Sequence, residues 1–134
     1  MSSLVCEIVS PEDILFSDSA ELIVVPGIEG EMGFMLGHMP VVSVLADGIV
    51  RLSNKDASDK LGFAVQGGYV EVEGTKVNVL ADRAMRLEDI DKSDAQAKLG
   101  ELNEKLASCT SEQAIALGLD ADIKWYSLLI DAAI

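Results

Sequence analysis

Glu29, Glu31 and His38 are the side chains best suited to acid–base chemistry, since two carboxylates and an imidazole fall close together in the chain. They lie in Gly27-Ile28-Glu29-Gly30-Glu31-Met32-Gly33-Phe34-Met35-Leu36-Gly37-His38-Met39-Pro40, which follows the strand-like run Leu22-Ile23-Val24-Val25 closed by Pro26. Glycines at 27, 30, 33 and 37 permit positive φ at several points, so the stretch reads as a loop that is ordered only when something holds it. A glycine-rich turn after an apolar strand is also how backbone N–H groups approach a pyrophosphate. The parts that chemistry needs are missing. No G-x-G-x-x-G opens a helix, no Gly-Lys-Ser/Thr ends the loop, and the stretch carries two glutamates and no lysine before it meets Pro40.

Catalysis fares no better. His38 is the only histidine and has no serine or cysteine nucleophile in a triad-like pattern, so it reads as a turn residue bonded to neighbouring backbone. Glu29 and Glu31 lack a third member and read as solvated charges. The other acids lack the Asp-x-Asp-x-Asp-Gly clustering of a calcium loop. Cys6 and Cys109 fall in no Cys-x-x-Cys or Cys/His cluster and read as reduced thiols. No enzyme class survives, and no metal or cofactor is expected.

The elements that position these residues follow from composition and period. With 49% hydrophobic and 4% aromatic residues, the interior must be built from Val, Leu, Ile and Ala. A net charge of −13 disfavours nucleic acid and anionic lipid and favours a basic partner. No stretch approaches the roughly 20 apolar residues of a membrane helix, and Met1-Ser2-Ser3 opens no signal peptide, so no membrane insertion is expected.

From Leu4 to Arg86, short β-rich runs alternate with turn residues. Leu4–Val9, Ile14–Phe16 and Ala20–Val25 read as strands, with Ser10–Asp13 and Ser17-Asp18-Ser19 as turns. Val41–Leu45 and Gly48–Leu52 flank Ala46-Asp47 as a candidate hairpin, and Ser53–Lys60 reads as a polar turn. Leu61–Gln66 and Tyr69–Glu73 are split by Gly67-Gly68, and Gly74-Thr75 closes a hairpin onto Lys76–Leu80. These runs make eight to ten strands, which a two-sheet sandwich buries most simply.

At Leu87–Asp91 the period becomes helical, giving a β domain over residues 1–87 and a helical domain over 88–134. Asp91 or Ser93 caps a helix, and Ser93-Asp94-Ala95-Gln96 fits a capping box. Ala95, Leu99, Leu102 and Leu106 form one apolar stripe; Ala121, Trp125, Leu128, Leu129 and Ala132 form another, with a break at Gly118-Leu119-Asp120. Leu99, Leu102, Leu106, Trp125, Leu128 and Leu129 are the candidate packing or partner residues. Trp125-Tyr126 suits either a partner anchor or the helical core.

Five short motifs carry a family resemblance: Glu29-Gly30-Glu31-Met32-Gly33, Gly37-His38-Met39-Pro40, Asp47-Gly48-Ile49-Val50-Arg51, Gly67-Gly68-Tyr69-Val70-Glu71-Val72 and Val77-Asn78-Val79-Leu80-Ala81-Asp82. In order and spacing they resemble the epsilon subunit of bacterial F-type ATP synthases, the counterpart of the mitochondrial delta subunit. The likeness covers most of residues 1–87. It implies a mainly β fold with an α appendage: an N-terminal ten-stranded β-sandwich followed by a C-terminal two-helix antiparallel hairpin.

It also implies a non-catalytic central-stalk subunit of the proton-translocating enzyme, peripheral on the cytoplasmic face of the bacterial cell membrane. Such a subunit grips gamma through the sandwich, touches the c-ring loops and couples rotor rotation to ATP synthesis. By the same resemblance, Glu29, Glu31, Met32 and His38 form the c-ring contact. The family's helical hairpin can extend along gamma to the catalytic alpha/beta head and inhibit hydrolysis, and some members bind ATP through Ile/Leu-Asp-x-x-Arg-Ala.

Here that motif reads Ile90-Asp91-Lys92-Ser93-Asp94-Ala95, with Asp94 where the arginine belongs, so no ATP binding is expected. Inhibitory second helices are rich in basic residues. From Ser111 onward this chain has Lys124 alone against Glu112, Asp120, Asp122 and Asp131, so the hairpin is expected to be a weak brake or merely structural. The alternative is a free-standing β-sandwich ligand- or protein-binding module. It would need an aromatic-lined groove from one Trp, two Tyr and three Phe.

Overall fold

In the computed structural model, which describes residues 3–37, 40–53 and 61–133, the chain divides into two compact units, Met1–Arg86 and Leu87–Ile134. The first is built from strands β1 (Leu4–Val9), β2 (Ile14–Ala20), β3 (Leu22–Gly27), β4 (Gly30–Phe34), β5 (Val41–Val44), β6 (Gly48–Ser53), β7 (Leu61–Glu73) and β8 (Lys76–Arg86). They run in the order β2-β1-β8-β7-β6-β3-β4, with β5 also on β7. Among the described residues the pairing is antiparallel except for β1 on β8.

Eight strands form among the described residues instead of ten, and the reason lies in β7 and β8. β7 pairs with β6 through Leu61–Val65 and with β5 through Tyr69–Val72, while β8 follows it from Lys76 to Arg86. Each therefore serves both halves of the sandwich, as strands do where they bend from one sheet into the other. The bend falls at Gly67 and Gly68, with φ of 66° and 103°, so this pair kinks a continuous strand instead of separating two.

Two further expectations are corrected. Val41–Val44 and Gly48–Ser53 do not pair with each other; both lie along β7 in one register, Val41↔Val72 and Gly48↔Val65. The chain bends between them, where the Ala46 N–H donates to the Pro26 carbonyl at 2.7 Å. Ser17-Asp18-Ser19 stays in β2, because its backbone pairs with Glu7, Cys6 and Val5, and the turn comes at Glu21 instead. The polar turn after Ser53 lies outside the described residues.

Alternation sets the core. Leu4, Cys6 and Ile8 of β1, Ile23 and Val25 of β3, Val70 and Val72 of β7, and Val77 and Val79 of β8 are all buried in one cluster. Phe63 is fully buried, meets Phe16 edge-on at 5.9 Å between centroids, and carries the Arg86 guanidinium 5.6 Å from its ring. Arg86 also donates to the Leu15 carbonyl, tying the end of β8 to β2.

Burial pushes the Cys6 thiol up from 9.0 to about 11, because a thiolate among these side chains would be desolvated. The unfolded chain gives up that proton first as pH rises. Stability present below pH 9.0 is therefore lost as pH climbs toward about 11. Urea titrations at about pH 8 and about pH 10 should show a smaller alkaline drop in Cys6→Ala than in the parent. At the lower pH a thiol reagent should label the half-buried Cys109 quickly and Cys6 only on unfolding.

The second unit begins with a 3-10 turn at Leu87–Asp89 and holds α1 (Lys92–Ser108), α2 (Ser111–Leu117) and α3 (Leu119–Ala132). Three helices replace the expected pair, because Gly118 adopts the left-handed conformation at φ 66° and ends α2 where α3 starts. Asp91 is the N-cap of α1, accepting from the Asp94 N–H at 3.1 Å. The capping box forms at Thr110 and Gln113, not at Ser93. α1 packs on α3. Ala95, Leu119, Trp125 and Leu129 are buried, Leu99, Leu102 and Leu128 are half-buried, and Leu106 is exposed.

Candidate functional site

The glycine-rich stretch is mostly a β-hairpin held by its own backbone. Val24, Val25, Pro26 and Gly27 of β3 pair with Gly33, Met32, Glu31 and Gly30 of β4, leaving Ile28 and Glu29 at the tip. Two glycines make the tip possible. Gly30 has a φ of 130°, and a Cβ on Gly27 would stand 2.7 Å from the Gly30 carbonyl oxygen.

The pleat then sorts the side chains. Glu29 and Glu31 are exposed, while Met32 turns the other way and packs partly buried against the core. His38 lies outside the described residues. Arg51 of β6 reaches Glu31 with Nη1 3.1 Å from Oε2. Both ends of this ion pair remain in solvent. The carboxylates thus form a charged, solvated surface, not an acid–base pair in a cleft.

A second surface adjoins the first. Val42 and Val44 point outward from β5 and are 73% and 54% exposed; Tyr69, paired with Val44, is 43% exposed, and Ile28 at the hairpin tip is 64% exposed. The Ile28 N–H donates to the Val44 carbonyl at 3.3 Å, joining tip to strand. These four residues line one open depression together with Glu29 and Asp82. An apolar patch on a sheet face, rimmed by acids, is the mark of a protein-binding surface.

The acidic and glycine residues of this surface were conspicuous in the sequence, whereas Val42 and Val44 were not singled out. Their signal was Val41-Val42-Ser43-Val44 itself. Apolar residues at both parities of an edge strand leave some facing outward.

In the helical unit, Asp94 pairs with Lys98 at 3.4 Å. That hydrogen bond raises the Lys98 pKa, and the Tyr126 ring lies 5.7 Å from the ammonium. Lys124 pairs with Asp120 at 3.1 Å. No group of three or more His, Cys, Asp or Glu suited to a metal occurs among the described residues.

Residues 3–87 match the family model of the ATP synthase delta/epsilon chain, beta-sandwich domain. The chain belongs to the ATP synthase delta/epsilon family. It is 42% identical over 107 residues to an ATP synthase epsilon chain of Teredinibacter turnerae, covering 80% of this chain and 75% of that one. It is 34% identical over 116 residues to one of Chromobacterium violaceum, covering 87% and 83%. Among solved structures, it matches a chain of the Euglena gracilis mitochondrial ATP synthase with a TM-score of 0.78 at 22% identity, covering 98% of this chain and 82% of that one. That last likeness is one of fold.

Proposed function

We propose that this member of the family is the non-catalytic epsilon subunit of an F-type ATP synthase central stalk, coupling rotation of gamma and the c-ring to ATP synthesis. The observation that carries the reading is the sandwich-domain match over residues 3–87, extended by curated epsilon chains that align well into the helical unit. Its surfaces suit the role. The exposed apolar face of Val42, Val44 and Tyr69 supports gamma as its partner, and the acidic hairpin tip beside it supports the c-ring loops as the partner of Glu29 and Glu31. Met32 steadies that hairpin from within. The subunit docks peripherally on the cytoplasmic side of the membrane; no helix among the described residues is long and apolar enough to cross one.

Recovering partners with the tagged full-length chain from its own membranes tests this. Gamma and the catalytic head should co-purify, and their absence would leave a free-standing β-sandwich module.

The helical unit is a weak brake at most. Reaching the alpha/beta head in an extended form would call for basic residues, and its second half has Lys124 alone, already paired with Asp120. Removing residues 88–134 should change ATP hydrolysis by the assembled enzyme less than about twofold, within what exposed charge contacts contribute. Calorimetry with ATP should give no binding heat, since Asp94 replaces the arginine donor and repels phosphate. A many-fold rise in hydrolysis, or micromolar ATP binding, would overturn this account of the unit.

A further inference from the structure

We propose that Arg51 is a positioning residue for the rotor contact: it fixes the Glu31 carboxylate in the orientation that meets the c-ring. The inference rests on the reading of the β3–β4 hairpin as the c-ring contact. Strand order makes the pair possible. β3 lies between β6 and β4, and Arg51, Val24 and Gly33 form one row across the three strands. Glu31 stands two residues along β4 on the same outer face, so the Arg51 side chain must cross β3 to place Nη1 3.1 Å from Glu31 Oε2.

The third member of that row, Gly33, carries no side chain; a Cβ there would make only ordinary contacts, with the Leu22 and Val24 side chains at 3.6 and 3.9 Å.

A glutamate alone on an exposed strand samples several rotamers, and ordering it on binding weakens the contact it makes. Pairing with a guanidinium orders it beforehand. Because both partners are more than half exposed, the pair adds little to folding, and its use is in presentation.

The test is rebinding of the full chain to ATP synthase stripped of it, with isolated gamma as the comparison. Glu31→Gln and Arg51→Gln should each weaken rebinding about two- to fivefold, the range open to an exposed ion pair. The double variant should be no weaker than the worse single one. Neither change should alter binding to gamma alone, and all thermal midpoints should agree within a few degrees.

Additive losses would overturn the inference, as would a silent Arg51→Gln beside an effective Glu31→Gln, which would leave the hairpin contact standing. Losses equally large with gamma alone would also overturn it. Two silent single variants would overturn both the inference and the hairpin contact.

Discussion

Gly68→Ala should unfold the sandwich far below the parent's melting temperature, a loss of about 3–5 kcal/mol from strain and overpacking combined. Gly68 has a φ of 103°, which an L side chain rarely adopts, and a Cβ there would sit on the Leu80 carbonyl oxygen and 2.8 Å from Ala81 Cα. Both obstacles are backbone of the paired strand β8, so no rotamer change relieves them. Relief requires moving β8 off β7 where the two pass from one half of the sandwich to the other.

Gly74→Ala is the matched control. Its φ is 58° and a Cβ would meet nothing within 4 Å, so only the left-handed penalty of about 1–2 kcal/mol applies. In thermal melts followed by the β signal in circular dichroism, Gly68→Ala should fall by about 15 °C or more and Gly74→Ala by about 10 °C or less. Equal shifts would mean that β8 yields freely at Leu80 and that the close approach is incidental. The sole tryptophan, Trp125, lies in the helical unit, so its fluorescence would follow that unit separately.

Much of the fold was legible because its signals are local. Val77 and Val79 alternate with polar neighbours and are buried as that alternation requires, and Asp91 opens α1 as a capping residue should. Gly118 marked its break for the same reason.

The errors come where a local signal has two long-range outcomes. A glycine pair interrupts period two equally well as a turn or as a kink, and whether Gly67-Gly68 separates strands depends on β8 continuing beside it. The glycines at 27, 30 and 33 read as loop because pairing with Val24–Gly27 is a matter of register, which composition does not state. Arg51 and Glu31 are 20 residues apart and meet only because of the order β6-β3-β4.

The same limit hid the apolar face, and that face gives the strongest functional prediction. Val44→Glu and Val44→Lys should each weaken binding of the chain to isolated gamma on the order of 100- to 1,000-fold or more, since an uncompensated charge buried at an interface costs about 3–5 kcal/mol. Val44 is 54% exposed and pairs across the ladder with Tyr69, so either charge remains solvated in the free chain and its melting temperature should barely move. Val42 is a poorer choice because it pairs with Glu71, and a second acid there would confound folding with binding.

Using both signs of charge separates two causes. Loss with both identifies desolvation of an apolar contact, as the cluster of Val42, Val44, Tyr69 and Ile28 requires. Loss with lysine alone would instead make the surrounding acids, Glu29 and Asp82, the determinants, with gamma presenting a basic patch. Undiminished binding by both would remove this face from the gamma contact and leave gamma to another surface of the sandwich.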